Sequence, residues 1–209
     1  MSVLFWDIGN VLLEPIHGKI LNDIFENRNE NILKEEFEKL SSAVLNESFI
    51  GKISLEETWK ELFNIAKISD SKTIEKIRNV KVKRNTILLN YIEKDLINNY
   101  KIGIISDLSQ IGYWVVKNYY KDFLNVCDKE KIFISINTKR TKRKDKEKYF
   151  CSIRQSVKDK SCIFIDDEIS NIESAKNSGF KTILYEANLK WEKANKRLIE
   201  NFNKLKRGE

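Results

Sequence analysis

Three times this chain drives a run of apolar residues straight into a polar stop. Val3-Leu4-Phe5-Trp6 meets Asp7, Ile102-Gly103-Ile104-Ile105 meets Ser106-Asp107, and Cys162-Ile163-Phe164-Ile165 meets Asp166-Asp167. A short unbroken apolar run closed by turn chemistry predicts a strand buried on both faces, and such strands belong to parallel sheets. Gly9-Asn10 supplies turn residues after the first run. In open parallel sheets ligands bind outside the carboxyl ends of the strands. The three polar stops are therefore expected to meet at one functional edge.

The order of the remaining elements fits that frame. From Glu14-Pro15 to about Asn85 the chain reads as helices only. Ile32, Leu33, Phe37, Leu40 and Val44 recur at helical spacing, and Ser54-Leu55-Glu56-Glu57 is a capping box. Leu55, Trp59, Leu62, Phe63 and Ala66 follow that box along one face, and a third helical stretch covers about Lys72 to Val80. The second half alternates strand and helix, as βαβ units do. Leu88, Tyr91, Ile92 and Leu96 mark a helix, Lys101 to Ile105 a strand, and Gln110 to Tyr120 a helix. Lys131 to Ser135 reads as a strand, Asp145 to Val157 as a helix and Ser161 to Ile165 as a strand. Ser170-Asn171-Ile172-Glu173 reads as a second capping box, opening a helix that Gly179 closes. Lys181 to Tyr185 is a last strand and Leu189 to Leu205 a terminal helix. The expected fold is α/β: a Rossmann-like parallel sheet with helices on both faces and an inserted helical cap. Residues 1–14 and 86–209 form the core domain and residues 15–85 the cap, placed to act as a lid.

Composition narrows the function. Hydrophobic residues make up 41% of 209 positions, enough for a proper core. No apolar stretch is long enough to span a membrane, and no signal-peptide pattern precedes the first strand. Cys127, Cys151 and Cys162 lack paired or metal-ligand spacing, which suggests free thiols in a reducing cytoplasm. His17 is the only histidine, which argues against histidine-built zinc sites; following the first motif closely, it can stand near the mouth of the site, with a surface position the preferred reading. A formal charge of +7 favours anionic partners.

Carboxylates crowded at one sheet edge repel one another unless a cation sits among them, and oxygen-only ligation suits Mg²⁺. The basic run Lys139-Arg140-Thr141-Lys142-Arg143-Lys144 follows a fourth strand and can bring a lysine to the same edge. Acid cluster, hydroxyl and lysine together describe a phosphoryl-transfer site.

With these residues in view, the sequence resembles the haloacid dehalogenase (HAD) superfamily over nearly its whole length. It is closest to the capped phosphatases, such as sugar-1-phosphate phosphatases and epoxide hydrolase N-terminal domains. Four motifs carry the resemblance: Trp6-Asp7-Ile8-Gly9-Asn10-Val11, Gly103-Ile104-Ile105-Ser106, the basic run, and Ile163 through Ala175 with Asp166-Asp167 inside it. The resemblance implies that Asp7 is the nucleophile and a Mg²⁺ ligand, with the Gly9 carbonyl a second ligand. Asp167 would bind the metal directly and Asp166 through water. Ser106 and the backbone beyond it, at Asp107, would hold phosphate oxygens. Counting back from Tyr149-Phe150 favours Lys144 as the phosphate lysine, which is the expectation taken here; counting forward from Ser135 favours Lys142.

Three departures stand out. Gly9 occupies the place of a second Asp, the usual general acid; Asp107 stands where Asn is common; and the lysine motif lacks its usual Pro. The implied activity is Mg²⁺-dependent hydrolysis of small phosphorylated metabolites, a sugar phosphate first and a nucleotide second, through an aspartyl-phosphate. The alternative is a weakly catalytic or non-catalytic phospholigand-binding protein. Nucleic acid, resting on net charge and the basic run alone, ranks last, and no membrane partner is expected.

Overall fold

The computed structural model describes residues 1–29, 31–144, 146–159 and 161–207. In chain order the elements are β1 (Ser2–Trp6), α1 (Ile16–Glu26), α2 (Lys34–Phe49), α3 (Leu55–Ile65), α4 (Ser71–Arg78), α5 (Thr86–Tyr91) and β2 (Tyr100–Ser106). There follow α6 (Gln110–Tyr119), α7 (Lys121–Val126), β3 (Ile132–Ile134), α8 (Ser135–Thr138) and α9 (Lys146–Ser156). The chain closes with β4 (Cys162–Asp166), α10 (Ile169–Asn177), β5 (Lys181–Leu184) and α11 (Trp191–Arg207). Among the described residues the five strands form one parallel sheet in the order β3-β2-β1-β4-β5. The chain winds outward from β1 through β2 to β3, then crosses back to place β4 on the other side of β1. That reversal puts a crevice at the carboxyl ends of β1 and β4.

The apolar runs are buried on both faces, as their continuity demands. Leu4, Trp6, Ile102, Ile104, Ile163 and Ile165 face one apolar cluster, whereas Val3, Phe5, Ile105, Cys162 and Phe164 face the other. Side chains α5, α6 and α11 contribute to the first cluster, through Leu88, Val115 and Phe202 among others. Tyr149, Phe150 and Ile153 of α9 and Ala175 of α10 fill the second. Gly103 is required by close approach: a Cβ there would stand 2.7 Å from the Phe5 ring and 2.8 Å from the Lys131 carbonyl oxygen.

Helices α1 to α4 pack on the first face rather than around a core of their own. Ile16, Ile20, Phe37, Phe49, Trp59 and Leu62 belong to the same apolar cluster as Trp6 and Ile104. Helix α2 packs against α3, α6 and α8. Ser48 joins these elements, its Oγ lying 2.9 Å from Thr58 Oγ1 and accepting the Gln110 N–H at 3.0 Å.

The Ser54 capping box forms with both of its hydrogen bonds, and Gly179 adopts the left-handed conformation (φ 88°) expected after α10. The second capping box does not form. Helix α10 starts earlier, at Ile169, because the Asp166 carboxylate accepts the Glu168 N–H at 2.8 Å, and Ser170 Oγ is taken by the Lys146 ammonium. On α2 the period is right but the phase is shifted. Leu33 and Leu40 are exposed, and the buried face runs Phe37, Ser41, Leu45, Ser48, Phe49. Small serines let neighbouring helices approach, so an apolar count alone misplaced the face. The strand expected over Lys131–Ser135 shrinks to Ile132–Ile134, with Ser135 opening α8. Helix α7 was not anticipated, and α5 runs on into a π-helical turn over Ile92–Leu96. Asp145, where a helix was expected to start, lies outside the described residues. All three cysteines are free thiols, and among the described residues no helix is long and apolar enough to cross a membrane.

Candidate active site

The parallel register builds the site. Trp6 pairs with Ile104 on one side and Ile165 on the other, so the next step along the sheet sets Asp7 beside Asp166. The Asp7 amide still donates to the Ile165 carbonyl at 2.9 Å, so the backbone carrying Asp7 is held by the sheet. Beyond it the chain turns at Asn10, whose left-handed φ of 60° is one that asparagine tolerates well. The Asn10 side chain donates to Asp167 Oδ2 at 2.9 Å, tying the β1 turn to the β4 turn. Oxygens of Asp7, Asp166 and Asp167 all lie within 4.8 Å of one another.

Lys142 completes this cluster. Its ammonium stands 2.7 Å from Asp7 Oδ1 and 2.6 Å from Asp166 Oδ2, and the residue is only 5% exposed. The expectation for Lys144 is therefore corrected. Lys144 is exposed and lines a separate concavity with Lys139, Arg140 and Lys148. The reason lies in how the loop is anchored. Both Asp107 carboxylate oxygens accept the Lys142 backbone N–H, at 3.0 Å each, which fixes that residue against the sheet edge. Asp107, expected among the groups around phosphate, lines the pocket, but its carboxylate is engaged in holding the lysine loop. Ser106 is buried, with its Oγ accepting the Ile8 N–H at 3.4 Å.

The electrostatics follow from burial. Desolvation pushes Asp7 up to about 7; Lys142 opposes this, while Asp166 and Asp167 reinforce it. Burial alone would lower Lys142, yet Asp7, Asp166 and Asp107 outweigh it and hold the lysine firmly charged. Asp107 and Asp167 are both raised, in each case chiefly by burial. Three clustered carboxylates against one ammonium leave two negative charges, which one divalent cation would balance. Asn171 adds a matching feature: its amide nitrogen donates to Asp166 at 3.1 and 3.2 Å, while its buried Oδ1 has no partner among the described residues. An all-oxygen donor set of this kind fits Mg²⁺.

These groups line one pocket of about 300 Å³ at the sheet edge. Gly9 stands in its wall. A Cβ at Gly9 would meet Asp7 Oδ2 at an ordinary 3.9 Å, and Gly9 is not among the residues of positive φ. The pocket's other wall carries residues that the sequence did not single out for the site. His17, expected at the surface, is half-buried there, with Nε2 2.8 Å from Ser109 Oγ. Burial, then the charge of Arg143, pushes His17 down to about 4, so its imidazole is neutral. Phe49 lies between His17 and Arg143: its ring centroid is 4.8 Å from the His17 ring and 4.6 Å from the Arg143 guanidinium carbon. Only the position of His17, soon after the first strand end, hinted at this wall.

No protein-family model matches the chain, and no curated protein matches it. Among solved structures, a HAD family enzyme from Bacteroides thetaiotaomicron, in complex with magnesium and inorganic phosphate, superposes with a TM-score of 0.71 at 23% identity, covering 91% of this chain and 97% of that one. A HAD-like family hydrolase from Porphyromonas gingivalis gives a TM-score of 0.64 at 17% identity, over 95% of this chain and 97% of that one. A beta-phosphoglucomutase from a hyperthermophilic Pyrococcus gives 0.51 at 18% identity, over 92% and 90%. The chain has the fold of the HAD superfamily enzymes, a parallel α/β sheet of Rossmann type.

Proposed function

We propose that this protein is a Mg²⁺-dependent phosphatase acting on small phosphorylated metabolites, a sugar phosphate or a nucleotide, through an aspartyl-phosphate on Asp7. The observation that carries the reading is the buried Lys142 ammonium bridging Asp7 and Asp166 beside Asp167, at the mouth of one pocket. The Bacteroides enzyme of the same fold, in complex with magnesium and inorganic phosphate, supports the choice of metal and ligand.

Asp7, Asp166 and Asp167 would hold the metal, with the Gly9 carbonyl. When bound, Mg²⁺ would neutralise phosphate charge at the reacting centre. An Asp7 carboxylate oxygen attacks phosphorus, the bond from phosphorus to the leaving oxygen breaks, and that oxygen takes its proton from solvent water, since Gly9 supplies none. Water then cleaves the aspartyl-phosphate and releases phosphate. Lys142 favours the ionised form of Asp7 against the effect of burial and offers its ammonium to the charge that develops on phosphate. Asp107 keeps Lys142 in place. Residues 15–85 act as the cap, closing the pocket from the His17 side over the core of residues 1–14 and 86–209. Three free thiols suit a reducing cytoplasm.

A second reading, a weakly catalytic phospholigand-binding protein, is favoured by one observation: Gly9 offers no side chain to protonate the leaving oxygen. One panel separates the two. Phosphate release is measured from aryl, sugar-1- and alkyl phosphates with Mg²⁺ and with chelator. Turnover that vanishes with chelator and returns with Mg²⁺ supports the phosphatase. Ligand binding without release of phosphate overturns it in favour of the second reading.

A further inference from the structure

We infer that Arg143 is a specificity residue that selects substrates bearing a second anionic group, a carboxylate or a second phosphate, close to the phosphoester. The inference rests on the phosphatase reading and names the substrate class for that site.

Arg143 follows Lys142 directly, and the two cations line the same pocket. Their surroundings differ. Lys142 is buried and bonded to two carboxylates, whereas Arg143 is exposed. Among the described residues Arg143 joins no ion pair and donates no hydrogen bond; its recorded contact is the Phe49 ring, 4.6 Å away. A guanidinium resting on an aromatic ring spends none of its N–H donors on that contact. Arg143 lines the pocket together with His17 and Asp107. A planar fork of unpaired donors suits a carboxylate or a phosphate bidentately.

Adjacency sets the reach. Lys142 and Arg143 are consecutive residues in the wall of one pocket of about 300 Å³, so one anion near Lys142 and another near Arg143 lie only a few bonds apart in a molecule held there. Neutral His17, in the same wall and backed by the buried Phe49, adds no competing negative charge.

The test compares three short phosphomonoesters: ethyl phosphate with a neutral tail, phosphoglycolate with a carboxylate tail, and ethylene bisphosphate with a phosphate tail. Each is measured with Mg²⁺ for the wild type, Arg143→Gln and Arg143→Lys. The wild type is expected to favour one or both anionic tails over ethyl phosphate in kcat/KM. Arg143→Gln should cut that preference about tenfold to a hundredfold, mainly through KM, the range expected for a lost charge-assisted hydrogen bond pair. Arg143→Lys should restore part of it. The two anionic tails distinguish a carboxylate from a phosphate as the natural second group. No preference in the wild type, or a preference that Arg143→Gln leaves intact, overturns the inference. Where none of these three alkyl esters turns over, the phosphatase reading stands or falls on the aryl and sugar-1-phosphates of the panel above. Arg143 is then judged on binding alone, by calorimetry with the same three ligands, where loss of the anionic-tail preference in Arg143→Gln upholds the inference and its persistence refutes it.

Discussion

Replacing Lys142 with methionine removes the one ammonium inside the carboxylate cluster while keeping most of the side chain's volume. In the native protein that ammonium is 2.7 Å from Asp7 and 2.6 Å from Asp166, and its side chain is 6% exposed. Removing one partner from a buried pair strands the other charge, which costs about 3–5 kcal/mol. Here two carboxylates are stranded, already near Asp167. The lysine charge is the main influence that lowers Asp7, so without it Asp7 climbs further above 7. The sign of the pH dependence follows. A carboxyl whose folded pKa is raised above its unfolded value binds more protons when folded, so stability is lost as pH rises through the folded value. Lys142→Met should therefore be least stable in mildly alkaline, metal-free buffer, and should recover on acidification or on addition of Mg²⁺. Urea unfolding with and without Mg²⁺, at about pH 8 and about pH 5.5, reads this directly. Phosphate release should fall by at least about a hundredfold, as expected when a charge-stabilising donor is lost from an enclosed site. Lys144→Met, at an exposed position, should stay within about 0.5 kcal/mol of wild type. A Lys142→Met protein that loses under about 1 kcal/mol in metal-free alkaline buffer would refute the placement of this charge. So would matching effects at both lysines.

Gly9→Asp should speed steady turnover of alkyl phosphates by about tenfold or more, since a general acid contributes about a hundred- to ten-thousand-fold and the backbone at Gly9 accepts a Cβ. With no acid–base side chain at Gly9 to activate water, the wild type should also hydrolyse its aspartyl-phosphate slowly and show a burst of product in rapid-quench kinetics, which shrinks in Gly9→Asp; an unchanged burst would mean that the new carboxylate does not activate the water. Asp167→Ala should raise the Mg²⁺ concentration needed for activity with little change in thermal stability, whereas Asp166→Ala should lower stability by about 2–4 kcal/mol, because Asp166 also anchors Lys142, Asn171 and the Glu168 amide. Magnesium titration and thermal melts check both, and the reverse pattern would exchange their roles. His17, held near 4 in the folded protein, contributes stability that is full above its unfolded value of 6.5 and is lost as pH falls towards 4, at most about 3 kcal/mol. His17→Asn should flatten the loss of stability over that interval in acid unfolding curves, and an unaltered slope would show that the imidazole is not held neutral.

The strands and their polar ends were legible in the sequence because a strand buried on both faces must be apolar throughout. The strands end at Trp6 or one residue past Ile105 and Ile165, where a carboxylate or hydroxyl appears. The Ser54 capping box and the Gly179 helix stop were legible for the same kind of reason, since each satisfies its backbone groups within a few residues. The lysine was not. Lys142 and Lys144 are equivalent in local sequence, and what separates them is Asp107, 35 positions away, accepting the Lys142 amide. The pocket's outer wall was hidden likewise, because His17, Phe49 and Arg143 come from three distant stretches and meet only through ring and cation contacts. The buried face of α2 depended on serines that pack against α3 and α6, which an apolar count passes over. Sequence fixes what is local and periodic. Which of several like charges is buried, and what faces it across the pocket, is set by desolvation and by long-range hydrogen bonds that exist only once the chain has closed on itself.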